Sequence, residues 1–304
     1  MNARSSKSTS ASSLSQNPWW AQLLIYLALT LLGLITFIPI LNVIAISFSE
    51  ASQIRLNPMM LFPKQPTLSA YGYIFGTSVL TRSFLITVWV TAAGTFFNLL
   101  FTSAAAYGLS KSKVPGYSFF TWLIIIPMLI GAGLIPYYLL VKNLGLVDSL
   151  WIFVVSGLVS PFNFVLMRNF FWSIPEALEE SASIDGASEM TILWKIIIPL
   201  SKPVLATVGL FYAVGHWNDY FTGLIFINDS SKWPLQVVLR SIIIDQNMMN
   251  MGALPQIMDP SKMVVTQENI KAAAIMFAIA PIMLVYPFLQ KYFVKGIMIG
   301  SVKG

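Results

Sequence analysis

The chain has 304 residues, of which 56% are hydrophobic and only 10% charged, with a mean hydropathy of +0.73 and a net charge of +6. A soluble domain carries about 25% charged residues, so this chain cannot clothe a water-facing surface and needs a bilayer as its second solvent. The lack of cysteine excludes disulfides, thiolate catalysis and cysteine metal sites, and without a dense basic run the positive charge points to membrane orientation, not to nucleic acid.

Residues 1–15 are Ser-rich, with Arg4 and Lys7 and no apolar run. They are expected to form a disordered tail, not a cleavable signal peptide. A spanning helix needs about 20 mostly apolar residues, and six stretches qualify. The first runs from Trp20 to Phe48. The second lies between Arg82 and Lys111, the third between Lys113 and Lys142, and the fourth between Asp148 and Arg168. The fifth follows Pro203 to Ile227, and the sixth covers Ala272 to Tyr292. Gly108, Pro127, Gly131, Gly133 and Pro136 fall in the second and third, where membrane helices tolerate such residues and kinks are expected.

Residues 50–82 and 228–271 are long, polar, Pro-containing connections, expected on the outer side as folded or partner-binding segments. Met248, Met249, Met251 and Met258 make the second of them Met-rich, which suits local core and an adaptable contact surface alike. Lys and Arg are nearly balanced between the two sides, so the local orientation signal is the short basic turn Lys111-Ser112-Lys113, expected on the cytoplasmic side.

Residues 173–202 differ from the other connections. Ser173-Ile-Pro-Glu176 has the spacing of a capping box, with Pro175 in the first turn. Glu176, Glu179, Glu180 and Ser183 then share one helical face, and Ile174, Ala177, Leu178, Ser181 and Ala182 the other. Asp185-Gly186 breaks the helix, because Gly adopts the left-handed conformation at little cost. A second helix over Ser188–Ile198 carries Trp194 and Lys195 and stops near Pro199. The pair is too polar for a further span. It suits a docking knob for a partner, or an interfacial hairpin without one.

Glu176-Ala-Leu-Glu-Glu-Ser-Ala-Ser-Ile-Asp-Gly186-Ala, followed by Ile196-Ile-Ile-Pro-Leu200, resembles the EAA loop of permeases in binding-protein-dependent ABC importers, with Glu-Ala-Leu in place of the triplet. Gly209-Leu-Phe-Tyr-Ala-Val-Gly-His-Trp-Asn-Asp-Tyr-Phe221 and the segment Lys291–Gly304 are similar to the carbohydrate-uptake branch, in its MalG-like, alginate and complex-oligosaccharide lineage. The resemblance covers the chain beyond its first fifteen residues. It implies an all-α, six-span, type I importer permease of the MetI-like fold, with a cytoplasmic coupling loop at 173–202, a membrane domain over 16–293 and a cytoplasmic tail over 294–304.

The implied setting is a bacterial plasma membrane, with both termini cytoplasmic. The implied partners are a second six-span permease, two ATP-binding cassette subunits, an extracellular solute-binding protein, membrane lipid and an oligosaccharide substrate. Glu176, Ala177, Glu179, Asp185, Gly186 and Pro199 are the residues it marks for coupling to the ATPase.

No Gly-x-x-x-x-Gly-Lys-[Ser/Thr] run occurs in the sequence, so the chain is expected to bind no cofactor itself, ATP and Mg belonging to the partner ATPase. His216-Trp217-Asn218-Asp219 lie in the fifth span. A charge at the bilayer centre costs about 2.5–3.5 kcal/mol on the insertion scale, so Asp219 should face the protein interior, a watery cavity or the outer interface. Hydrogen-bonding groups beside an apolar ring suit a sugar, and the same four residues suit a structural network between helices. An enzyme of membrane sugars or lipids would call for paired acids or histidines beside the spans, and only Asp219 and the lone His216 are so placed. No metal site is expected.

Overall fold

The computed structural model describes residues 18–111, 114–244 and 265–301, with 286–301 as backbone only. The expected N-terminal tail and the Met-rich run lie outside these residues. Among the described residues the chain is helical, its one extended pairing being an isolated bridge between Ser49 and Pro66.

Helix α1 (Trp19–Ser47) is charge-free and apolar on all sides, and nothing covers its first two-thirds. Its last turn is fastened instead: Ala45 and Ser47 are buried, and α1 packs there on the last helix, α15 (Gln267–Ser301). The short helices α2 (Ala51–Leu56) and α3 (Ser69–Gly76) follow, so the connection over 50–82 is folded.

Helix α4 (Ser78–Gly108) is the central post. At 1.5 Å per residue its 31 residues reach about 46 Å, longer than the hydrocarbon core. Leu80, Ser83, Thr87, Val90, Gly94, Asn98, Thr102 and Ala106 recur every three or four positions and form its buried stripe.

The expected third, fourth and fifth spans are not continuous helices. The third divides into α5 (Tyr117–Leu129) and α6 (Leu134–Asn143), with Gly133 at φ 81° in the break. The fourth divides into α7 (Trp151–Val155) and α8 (Pro161–Trp172), with Pro161 opening the second piece. The fifth divides into α12 (Lys202–Trp217) and α13 (Phe221–Phe226). Between α8 and α12 lie α9 (Glu176–Ile184), α10 (Glu189–Ile192), a π-helical turn (Leu193–Ile197) and α11 (Ile198–Leu200). Helix α14 (Leu235–Ile244) precedes α15. Only α1, α4 and α15 are uninterrupted helices long and apolar enough to cross a membrane, among the described residues. Apolar composition therefore marks membrane depth along these segments without marking helical continuity.

Two buried clusters hold the bundle. At one end Tyr107, Phe164, Met167, Phe171, Ile197 and Tyr212 pack together. Toward the other, Leu80, Trp217, Leu235, Val238 and Ala273 do so.

The junction of α1 and α15 depends on one buried amide. Asn269, 2% exposed, donates to the carbonyls of Ile46 (2.9 Å), which also accepts from Ser49 N (3.2 Å), and Ser49 (2.8 Å), at and just past the end of α1. Its Oδ1 accepts from Thr266 N (3.2 Å), and Thr266 Oγ1 accepts from Asn269 N (3.3 Å). This reciprocal pair is a capping box at the start of α15.

Asn269→Ala removes the box and takes the amide donor from both carbonyls; Ile46 O keeps the Ser49 N–H, and the Ser49 carbonyl left without a partner costs about 1–3 kcal/mol. A clearly lower thermal unfolding midpoint in detergent is expected. Asn269→Asp keeps the acceptor and should fall between wild type and Ala; a midpoint for Asn269→Ala equal to wild type would remove this junction from the account.

Candidate functional site: a backed hairpin and a hydrogen-bonded break

The hairpin over 173–202 forms as expected in outline, with a different start and finish. The capping box at Ser173–Glu176 is absent. Helix α8 runs up to Trp172, and the Ser173 hydroxyl donates backward to Phe170 O (2.6 Å), serving the end of α8 instead of the start of α9. Pro175, not Ser173, takes the N-cap position of α9.

Helix α9 ends on Gly186, at φ 81°. Ala187 N donates to Ala182 O (2.9 Å) and Gly186 N to Ser183 O (3.0 Å), the two bonds of a Schellman cap. Ala182 and Ala187 pack on the neighbouring core cluster. The second arm does not stop before Pro199 but passes through it to Leu200, and the π-helical turn Leu193–Ile197 comes immediately before. A proline lacks its N–H and crowds the carbonyl four residues back, and the wider π turn relieves both demands. Ser201 then breaks the chain, and the arm meets α12 at a bend of 86°.

The faces of α9 also differ from the expected ones. Glu179 does not share the outward face with Glu176 and Glu180. Its Oε2 lies 2.9 Å from Lys111 Nζ and accepts from Tyr107 OH (3.2 Å), both at the end of α4. Glu189, on the second arm, accepts from Tyr107 OH (2.8 Å) and pairs with the same Lys111. Glu176, Ala177, Glu180 and Asp185 remain exposed. Beside them stand Ile184 (86% exposed), Met190 (64%), Trp194 and Leu178, a mixed apolar and acidic surface that nothing covers.

Deeper in the bundle, the break between α7 and α8 is held from two sides. Asn98 Nδ2 donates to Gly157 O, and Thr102 Oγ1 reaches Leu158 O (3.5 Å). Tyr212 OH accepts from Ser160 N (2.9 Å) and pairs with Thr102 Oγ1 (2.7 Å). Asn98 Oδ1 also meets His216 Nε2 at 2.6 Å, so His216 carries its proton on Nε2 here. A Cβ on Gly94 would lie 2.4 Å from that ring, which is why the residue beneath His216 is Gly.

His216-Trp217-Asn218-Asp219 do not form one cluster. His216 turns to α4. Trp217 is buried against Phe84, and its indole N–H donates to Ala278 O (3.1 Å), so it joins helices. Asn218 is exposed, within 3.5 Å of Gln236. Asp219 is half-buried and accepts from Thr222 N (3.0 Å), closing the first turn of α13.

Sequence reasoning missed Asn98, Thr102 and Tyr212. The signal available was polar residues four apart in apolar helices, at 98 and 102 and again at 212 and 216. It also missed a clasp at the other end, where Asp148, at φ 60°, accepts from Asn228 N (3.2 Å) and Asp229 N (3.0 Å) and pairs with Lys232 (3.0 Å). The backbone bond from Asp229, with Lys232 beside it, holds the Asp148 carboxyl below its usual range. This clasp ties the start of the fourth segment to the end of the fifth. Among the described residues, no group of three or more His, Asp or Glu side chains is placed to hold a metal.

Asn98→Leu leaves the Gly157 carbonyl and His216 without partners. A loss of about 1–3 kcal/mol per orphaned group is expected, read as a lower unfolding midpoint in detergent. Thr95→Val, one turn away, removes a hydroxyl that meets no polar group of the protein and should leave the midpoint unchanged or raise it. The reverse order of the two variants would mean that Asn98 does not support the break.

Residues 10–299 match the family described as "Binding-protein-dependent transport system inner membrane component". The chain is 46% identical over 274 residues to Protein LplC of Bacillus subtilis, covering 90% of this chain and 91% of that one. It is 42% identical to the polygalacturonan/rhamnogalacturonan transport system permease protein YtcP of the same organism, covering 93% and 98%. Among solved structures it is similar to a chain of a bacterial ABC transporter involved in the import of the acidic polysaccharide alginate, with a TM-score of 0.84, 33% identity and coverage of 94% and 100%. With the family matched along nearly its whole length, the chain belongs to the inner membrane components of binding-protein-dependent transport systems.

Proposed function

We propose that this protein is one permease subunit of an ATP-driven oligosaccharide importer, and that the hairpin over 173–202 is its docking element for the ATPase. In this reading the chain crosses the plasma membrane six times, the broken helices α5–α6, α7–α8 and α12–α13 each counting as one crossing. Both termini and the hairpin then lie in the cytoplasm. A second six-span permease completes the passage, two ATP-binding cassette subunits bind ATP and Mg2+, and an extracellular binding protein delivers the sugar. The family description itself supports dependence on a binding protein.

The observation that carries the reading is the contrast between the two sides of the hairpin. The inner side is fixed by a Schellman cap, a cluster of buried side chains and Lys111. The outer side leaves Ile184, Met190 and Trp194 exposed beside Glu176, Glu180 and Asp185. A rigid element with an uncovered apolar and acidic face suits a permanent partner better than water. Glu176, Glu180 and Asp185, not Glu179, are the carboxylates free to meet that partner. The substrate class follows the relatives. One is named for polygalacturonan and rhamnogalacturonan and another for alginate, so acidic oligosaccharides are the first class to assay.

The test is uptake of labelled acidic and neutral oligosaccharides by the assembled importer in proteoliposomes, with its binding protein and ATP. Gly186→Pro removes both the positive φ and the Gly186 N–H bond to Ser183. Membrane insertion with at least a tenfold loss of uptake is expected, and likewise for Asp185→Lys. Normal uptake by both variants would end the docking role.

For the passage itself we infer that His216, Asn218 and Asp219 lie near the sugar's route, with Trp217 acting as a packing residue. Asp219→Asn keeps the cap of α13 while removing the charge. A changed KM or maximal rate in an importer that still assembles is expected. Unchanged uptake kinetics would leave Asp219 a structural cap only.

A further inference from the structure

Lys111 was notable in the sequence only as half of a basic turn beside a span. In the fold its ammonium is shared among three groups from three helices. Nζ lies 2.9 Å from Glu179 Oε2 on α9, bonds Glu189 Oε2 on α10 and sits 4.5 Å over the ring of Tyr107 on α4. Tyr107 OH bonds the same two carboxylate oxygens, at 3.2 and 2.8 Å. One cation and one phenol at the end of α4 thus hold both arms of the hairpin.

We propose that Lys111 and Tyr107 are positioning residues that fix the docking hairpin in register with α4, so that a displacement of the hairpin moves α4 with it. The proposal rests on the docking role assigned above. Stability alone does not explain the clasp. The side chains of Lys111, Glu179 and Glu189 are 30%, 20% and 70% exposed; the open Lys111–Glu189 pair contributes about 0–1 kcal/mol, so any larger gain rests on the Glu179 arm alone. What the clasp supplies is geometry. Helix α9 buries no residue completely, and without Lys111 and Tyr107 its hold on α4 would rest on small side chains such as Ala182.

The clasp also leads somewhere. Thr102 and Asn98, which hold the break in the fourth segment, lie on the same unbroken helix. Asn98 is nine residues from Tyr107, about 14 Å along the axis. A helix without a kink transmits a shift over that distance as a rigid rod. The clasp also keeps its charges. Burial alone would lower the pKa of Lys111, but hydrogen bonds to Glu189, Tyr107 and Glu179 outweigh it and hold the ammonium protonated above its ordinary range. The same Lys111 bond, and then Tyr107, hold the Glu189 carboxyl below its usual range. The clasp is therefore a fixed joint across the physiological range.

The test uses the full importer, reconstituted with Lys111→Met, Lys111→Arg or Glu189→Gln. Three quantities are read: retention of the ATPase subunits on purification, stimulation of ATP hydrolysis by loaded binding protein, and sugar imported per ATP hydrolysed. Lys111→Met is expected to retain the ATPase subunits while losing at least fivefold in stimulation and in sugar per ATP. Lys111→Arg, which can still serve both carboxylates, should restore both. Wild-type stimulation and stoichiometry with Lys111→Met would overturn the proposal. If that variant does not assemble, Glu189→Gln decides in its place, and full coupling there overturns it equally. Failure of the docking role itself is distinguishable, because Gly186→Pro would then transport normally.

Discussion

An unwound backbone inside an apolar medium has no water to bond, and every N–H and C=O it exposes must be met by protein. This constraint organises the interior. The fourth segment unwinds between Val155 and Pro161, and the groups freed there are taken up by Asn98, Thr102 and Tyr212. Those side chains require α4 and α12 to lie close, which in turn requires Gly94 beneath His216 and Gly209 against Leu99. Asn98, Thr102 and Tyr212 are thus accounted for by the break they serve. The close packing of α4 on α12 is the condition under which they can serve it.

The same helix meets a different demand at each level. Near one end Thr87 Oγ1 accepts from Leu235 N (2.8 Å) and caps α14, bringing an outer connection onto the bundle. In the middle α4 holds the break, and at the other end Tyr107 and Lys111 hold the hairpin. Such a post suits a machine whose parts move as bodies. The three divided segments supply places where the chain can bend, whereas α4 has no proline, and its glycines Gly94 and Gly108 lie at a helix contact and at its last residue.

How much of this was legible in the sequence follows from which physical signal each feature emits. The hairpin emitted several at once: acids at helical spacing, Asp185-Gly186 as a stop, and Pro199 near the end. The left-handed Gly186 appeared where expected. The capping box at Ser173 did not form because the end of α8 competes for the same hydroxyl, a contest that spacing cannot reveal. The box that does form, Thr266-Gln-Glu-Asn269, went unread because the sixth span was sought from its apolar run at Ala272, past the cap. The apolar runs were found, but hydropathy averages over a window and is blind to a break of three to five residues whose backbone is satisfied from elsewhere. His216 to Asp219 looked like one site because they are adjacent in sequence. On a helix, neighbours point about 100° apart, and these four turn to different partners.

The distribution of acids on the hairpin bears on what it meets. Glu179 and Glu189 share the single positive charge of Lys111, so the three side chains together carry one net negative charge instead of two. Glu176, Glu180 and Asp185 are left outward, beside Ile184 and Met190, with Lys195 on the second arm as the one base between residues 173 and 201. A partner surface that fits this face must combine an apolar cleft with basic residues at its rim. That division of labour, apolar contact for affinity and rim charge for register and choice of partner, is how specific interfaces are commonly built. It also separates two roles that a row of five acids in one loop makes look like one. In the proposed reading, Lys111 sets where the hairpin stands relative to α4, and the outward acids set which subunit can grasp it.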